Sequence, residues 1–300
     1  MNEDLIALIV REVSNRLQRA DPPDSEEEYH RWRYSVISGS GDNDYLPDIT
    51  EYDLQEKAFV TCPADAEFLA RLKRSTPARL GLGRTGPRYL TVPWLRFRAD
   101  HARAVDAVFS EVPADFVEGL GLLEVQTRCS SREEYVQRPD LGRRLSDEGK
   151  QALKAGCKHR PVVQVLVTDG LSSSAIVENA GDFLLALNQG LSQEGLERGT
   201  PLFVRYGRVA VMDDVGELLE PEVVVELVGE RPGLVTAKSM SSYLCYRPRR
   251  GTVESDRNVV ANIHSGGIPA VEAGAHVASM VKQILARKAS GVRFSLGGGT

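Results

Sequence analysis

Val223-Val224-Val225-Glu226-Leu227-Val228-Gly229-Glu230-Arg231-Pro232-Gly233-Leu234 is a mostly apolar run that breaks into a glycine-bounded loop. The same grammar stands upstream in Gly199-Thr200-Pro201-Leu202-Phe203-Val204-Arg205-Tyr206-Gly207-Arg208-Val209. A strand buried on both faces reads as near-continuous apolar sequence. Where such a strand ends in a glycine-bounded loop, it sets side chains at the carboxyl edge of an α/β sheet, the edge at which such folds bind ligands. The run Val162 to Val167, followed by Asp169-Gly170-Leu171-Ser172, repeats the pattern, and Ser172 stands where it can cap a helix running toward Leu191. Ser242 to Tyr246 supplies another strand, and a last helix is predicted from about Val271 to Lys288. Alternating strands and helices predict an α/β fold, with a C-terminal Rossmann-like, doubly wound, mostly parallel sheet over residues 156–300.

Upstream, the pattern predicts a smaller, mainly helical domain over residues 61–155. Pro63 suits a first helical turn, with Phe68, Leu69 and Leu72 following on one face. A second helix opens at Thr91, with Leu95, Ala99, Ala102, Val105 and Phe109 as its apolar face. Leu122 to Thr127 reads as strand or extended chain, and Arg144 to Ala155 as helix. Residues 21–60 read as an acidic flexible linker, with Asp24-Ser25-Glu26-Glu27-Glu28 and the packing-poor Gly39 to Asp44. Residues 1–20 read as an amphipathic helix, whose Leu5, Ile9, Val13 and Leu17 form one stripe. So short a helix is marginal alone, so the stripe needs a partner, either this protein or another.

The composition bounds the function. The chain has 300 residues, with 42% hydrophobic and 26% charged, as expected of a globular protein. The net charge of −5 argues against non-specific nucleic-acid binding. No apolar run approaches the roughly 20 residues that span a bilayer, and no secretory h-region is seen. Four scattered cysteines without CxxC spacing argue for free thiols in a cytoplasmic setting, not a disulfide framework or a zinc site.

Several motifs carry possible chemistry. Gly81-Leu82-Gly83-Arg84-Thr85-Gly86 matches GxGxxG, but a dinucleotide site needs a strand before it and a helix after it. Arg74, Arg79, Arg84 and Arg88 around it either hold a partner or staple the domain internally. Asn262-Ile263-His264-Ser265-Gly266-Gly267 is one letter from D-x-H-x-x-G, and His264 reads as a loop histidine satisfied locally. There is no GxSxG elbow, no HExxH and no His/Cys cluster, so no catalytic residue and no metal ligand is assigned. The better ligand candidates are Val209, an apolar surface, and Glu230, a carboxylate for charge-assisted hydrogen bonds. The competing structural role for Glu230 is an ion pair with Arg231 or Arg205.

The chain resembles the small subunit (light chain) family of adenosylcobalamin-dependent ethanolamine ammonia-lyase. The resemblance runs from about Leu72 to Arg293. It rests on the two opening segments, on Ser131, on Arg138-Pro139-Asp140-Leu141-Gly142-Arg143-Arg144, on Thr168-Asp169-Gly170-Leu171-Ser172, and on Asn262 to Gly267. It implies conversion of ethanolamine to acetaldehyde and ammonia by a radical mechanism, with the substrate held by a large subunit. It implies cofactor contacts at Val209, Glu230 and Val259, the last carried by valine where close relatives can have cysteine. It further implies a higher hetero-oligomer and a location inside a bacterial microcompartment, addressed through residues 1–20. The alternatives are a non-catalytic assembly subunit that does not touch the cofactor, and an independent α/β hydrolase or transferase.

Overall fold

The computed structural model describes residues 48–60 and 62–296. The expected N-terminal helix and most of the linker lie outside the described residues. The chain divides into two units, residues 1–52 and 53–300. In the first, Ile49–Glu51 form one 3-10 turn, and the Asp48 carboxylate accepts a hydrogen bond from the Thr50 N–H at 2.8 Å.

The second unit opens with helix α1 (Ala66–Arg74), whose N-cap is Asp65, so Pro63 stands outside it. A two-stranded hairpin follows, β1 (Arg84–Thr85) and β2 (Arg88–Tyr89). The GxGxxG match therefore lies in and before a hairpin and lacks the strand–loop–helix setting of a dinucleotide site. Helix α2 (Thr91–Phe109) then differs from expectation in orientation. Leu95, Val105 and Phe109, taken as its inward face, are exposed, and Asp100 is buried instead. The reason is electrostatic. Asp100 gathers Arg79 at 2.6 Å, Arg96 at 3.1 Å and Arg103 at 3.2 Å, and a buried carboxylate needs such partners. Arg79 also donates to Leu234 O at 2.8 Å, so this arginine staples the domain internally.

The rest is one α/β layer structure. Helices α3 (Ala114–Gly119), α4 (Arg132–Gln137), α5 (Asp147–Gly156), α6 (Ser173–Gln193), α7 (Val211–Leu219), α8 (Ala270–Arg287) and α9 (Val292–Leu296) surround a six-stranded sheet. Its strands are β3 (Leu123–Gln126), β4 (Val163–Thr168), β5 (Leu202–Arg205), β6 (Val223–Gly229), β7 (Met240–Tyr246) and β8 (Arg257–Ile263). The order is β3-β5-β4-β6-β7-β8. β3, β5, β4 and β6 run parallel, and β7 and β8 extend the sheet antiparallel, so it is mixed. β3 lies before residue 156 and the other strands after it, so the two segments share one sheet.

Alternation along the strands divides the core. Val163, Val165 and Val167 face α6 and α8, together with Val225, Leu227, Leu244 and Val260. Leu166, Val204, Val224 and Cys245 face α5 and α7. Helices α6 and α8 pack closely because small residues lie between them. A β-carbon at Gly274 would meet Phe183 O at 2.5 Å, and one at Gly190 would meet the Ala278 β-carbon at 2.5 Å. Gly274→Ala therefore forces the two helices apart. It is expected to destabilise the protein by about 1–3 kcal/mol, read from the midpoint of urea unfolding, despite the better helix propensity of alanine.

Candidate functional site

Three loops meet at the carboxyl edge of the parallel strands. The first follows β4 and contains Asp169 and Gly170. The second follows β5 and contains Tyr206 to Val209. The third follows β6 and contains Glu230. The loops of β4 and β6 touch through glycine. Gly170 has φ +56, and a β-carbon there would collide with Gly229 O, while one at Gly229 would collide with Ser172 O. The Leu171 N–H donates to Gly229 O at 2.9 Å. Ser172 caps α6, its hydroxyl oxygen accepting from the Ala175 N–H at 3.2 Å. Asp169 is wholly buried and pairs with buried Arg132 at 3.3 Å. Burial pushes its carboxyl up to about 6, against the opposing pull of Arg132 and Arg205.

The turn after β5 is braced from the end of β3, from α4 and from the segment around Gly142. Tyr206 takes a left-handed backbone conformation, φ 57, which is costly for a non-glycine residue. Thr127 donates to Tyr206 O at 3.0 Å and Tyr135 to Gly207 O at 3.2 Å. The Arg208 N–H donates to Gly142 O at 2.9 Å, and its guanidinium donates to Tyr135 O at 2.9 Å. The Tyr135 ring carries Arg208 at 4.4 Å and Arg132 at 5.0 Å from its centroid. Arg144 reaches buried Asp214 at 2.7 Å, and the Leu145 N–H donates to the same carboxylate at 3.1 Å. Ser131 caps α4 by accepting from the Glu134 N–H at 3.3 Å. Sequence reasoning had given these residues no role, and here they hold the loop that ends in Val209.

Val209 is half-buried against the α5/α7 side of the core. Glu230 is half-buried too. Its backbone N–H donates to Ser239 O at 3.0 Å. One carboxylate oxygen accepts from the Ser241 hydroxyl and from the Asn262 N–H at 3.0 Å. Among the described residues Glu230 pairs with neither Arg231 nor Arg205, and Arg205 is engaged by Glu124 at 2.6 Å. Burial alone would raise the Glu230 carboxyl, but the hydrogen bonds from Ser241 and Asn262 outweigh it, so its pKa lies below the ordinary value. Asn262 is also left-handed, φ 62. Its side-chain oxygen lies 2.8 Å from His264 Nε2, and the Gly266 N–H donates to His264 Nδ1 at 3.1 Å. His264 is therefore satisfied within its own loop.

Val259 lies in the middle of β8, 50% exposed, opposite Tyr243. The register Leu166, Glu226, Tyr243, Val259 puts this valine on the α5/α7 face. Val209 and Glu230 thus follow the ends of β5 and β6, and Val259 lies in β8, so the strands concerned are four steps apart from end to end, or about 19 Å at the usual strand spacing. Glu230 and β8 are joined directly through Asn262, whereas Val209 is separated from Glu230 by β4. Four residues before Glu230, within β6, stands a residue the sequence reading treated only as part of a strand. Glu226 is fully buried, and neither of its carboxylate oxygens has a hydrogen-bond partner. Burial drives its pKa far above the ordinary value, with Arg257 opposing and Asp213 and Glu254 reinforcing. Among the described residues no three His, Cys, Asp or Glu side chains are gathered to hold a metal ion.

A mixed six-stranded sheet with helices around it and braced loops along its carboxyl edge defines a protein of the α/β class. The family model of the ethanolamine ammonia-lyase light chain (EutC) matches residues 66–295. The ethanolamine ammonia-lyase small subunit of Clostridium perfringens is 47% identical over 292 residues, 97% of this chain and 99% of its own length. That of Clostridioides difficile is 46% identical over 293 residues, with the same shares. That of Listeria monocytogenes is 48% identical over 247 residues, 82% of this chain and 84% of its own. The chain belongs to the ethanolamine ammonia-lyase small-subunit family.

Glu226 generates a pH prediction. Its folded pKa lies above the unfolded value of about 4.3, so the folded state binds the extra proton and this group's contribution to stability falls as pH rises. Glu226→Gln, which cannot ionise, should gain stability relative to wild type as pH rises above about 4.3. Chemical unfolding at several pH values checks it, and a difference that stays flat with pH contradicts it.

Proposed function

We propose that the chain is the small subunit of an ethanolamine ammonia-lyase that converts ethanolamine to acetaldehyde and ammonia with adenosylcobalamin, and that it contacts the cofactor while a large subunit carries the substrate site. When bound, adenosylcobalamin supplies the radical chemistry, and the protein supplies binding, orientation and electrostatics. Family membership supports the reaction. The observation that carries the cofactor contact is Glu230, an ionised carboxylate locked by Ser241 and Asn262 at the carboxyl edge.

The residues present fit a broad amide-fringed macrocycle. Glu230 keeps acceptor capacity beyond its bonds to Ser241 and Asn262, and so can take hydrogen bonds from peripheral amide N–H groups. Val209 and half-exposed Val259 offer apolar contact on the same side of the sheet. Left-handed Tyr206 marks the loop after β5 as held in a costly conformation, a common property of ligand clamps. The task assigned to this chain is to grip and shield the cofactor, and none of its residues is assigned as acid or base toward ethanolamine. In the arrangement proposed, a mainly helical part over 61–155 also supplies the edge strand β3 to the sheet of a Rossmann-like part over 156–300. The linker 21–60 and a targeting helix over 1–20 connect it to a microcompartment, within a larger hetero-oligomer. An assembly subunit that never touches cofactor is the competing reading.

Glu230→Gln keeps the shape and removes the charge. In the assembled enzyme it should weaken adenosylcobalamin binding by about 10- to 100-fold, the equivalent of losing a charged hydrogen bond of ~1.5–3 kcal/mol. Val209→Asp, which sets a carboxylate against an apolar surface, should lose cofactor while keeping subunit assembly. Unchanged affinity in Glu230→Gln, or an unfolded Val209→Asp, removes the corresponding residue from the site. Residues 1–20 fused to a fluorescent protein should concentrate in microcompartments when shell proteins are co-expressed. Diffuse fluorescence would instead mean that the stripe packs on its own enzyme.

A further inference from the structure

The opposite edge of the sheet holds a second concavity. Strand β6 begins there and β7 ends there, and the loop after β7, the end of α7 and the turn after α8 enclose a cleft of about 1020 Å³. Six basic side chains line it: Arg160, Arg247, Arg249, Arg250, Lys288 and Arg293. That concentration is unexpected in a chain whose net charge is −5. Four of the six have carboxylate partners on the rim, Arg160 with Glu220 at 2.7 Å, Arg250 with Glu217 at 2.9 Å, Arg293 with Asp256 at 3.2 Å and Arg247 with Glu222 at 3.8 Å. Arg249 and Lys288 have none among the described residues, so the cleft carries two more positive charges than it compensates.

The pairs themselves are weakly held. The Arg160 and Arg247 side chains are 70% and 65% exposed, and exposed ion pairs exchange readily with solvent and with competing anions. A guanidinium fork matches the geometry of phosphate oxygens, and a lysine adds a movable point charge. The loop that presents Arg249 is fixed by Thr252, whose hydroxyl oxygen accepts from the Arg249 N–H at 2.9 Å and whose hydroxyl donates to Arg249 O at 2.7 Å. The cleft is far larger than one phosphate and falls at the upper end of the size range of small-molecule sites.

We propose that this cleft binds a multiply phosphorylated small molecule, held by Arg249 and Lys288 and joined by the rim arginines as they leave their carboxylates. The first probe is tripolyphosphate, titrated calorimetrically into the full-length chain at fixed ionic strength. Wild type should bind it. The double variant Arg249→Ala/Lys288→Ala should bind at least tenfold more weakly with an unchanged unfolding midpoint, and Arg249→Lys/Lys288→Arg should retain binding. Arg74→Ala/Arg88→Ala, which removes the same charge at a distant exposed site, should bind as wild type does. Both target positions are exposed, and Arg249→Gln alone serves if the double variant does not fold. Absence of binding by wild type, equal weakening in the Arg74/Arg88 control, or unweakened binding in the cleft variant would overturn the proposal. Citrate separates the chemistries: binding as tight as that of tripolyphosphate would show a general anion trap and overturn the phosphoryl assignment.

Discussion

Gly170 and Gly229 stand where two strand ends come too close for any β-carbon, and the carboxyl edge depends on that contact. Each position faces a carbonyl of the opposite loop. The approach lets the Leu171 N–H reach Gly229 O, which ties the end of β4 to the end of β6. It also sets where Glu230 leaves the sheet. From there, Ser239, Ser241 and Asn262 hold Glu230 against β7 and β8, so a single carboxylate links the parallel half of the sheet to its antiparallel extension. A larger residue at either glycine would separate these ends and release the loop that carries the candidate ligand contact.

The other side of the edge is held by charge and aromatic packing. The Tyr135 ring has two guanidinium groups on it, Arg132 and Arg208, and each of these is bound elsewhere, Arg132 to Asp169 and Arg208 to the backbone of α4. Buried polar groups are tolerated when their hydrogen bonds are satisfied. Glu226 departs from that rule, with two unpartnered oxygens inside a strand that is otherwise apolar. Its raised pKa keeps the carboxyl in its neutral form more readily, which lowers the cost of burial without removing it.

The strands most plainly legible in the sequence were those buried on both faces, although Ser242 to Tyr246, read as a strand, and Leu122 to Thr127, read as strand or extended chain, also became β7 and β3. Val162 to Val167, Leu202 to Val204 and Val223 to Val228 announced themselves as apolar runs and became β4, β5 and β6. The edge strand β8 did not, because Arg-Asn-Val-Val-Ala-Asn-Ile alternates imperfectly, buries its arginine and leaves Val259 half exposed. Helix α2 was placed correctly but turned wrongly. Its apolar stripe suggested one inward face, and the three-arginine cluster on Asp100, assembled partly from residues distant in sequence, turned the helix the other way. Glu230 was legible as a carboxylate on a glycine-bounded loop. The network around it was not, since Ser241 and Asn262 come from strands whose register no local pattern discloses.

Cofactor contact by this subunit is the central proposal, since the loops at the carboxyl edge carry Glu230 and Val209. The most direct test is to co-purify the chain with its large subunit in the presence of adenosylcobalamin and to read bound corrin from the visible spectrum, beside each subunit handled alone. Cofactor contact by this subunit predicts corrin retained by the two-subunit complex and lost from either subunit by itself. Equal retention by the large subunit alone would contradict it, and would make this chain an assembly subunit.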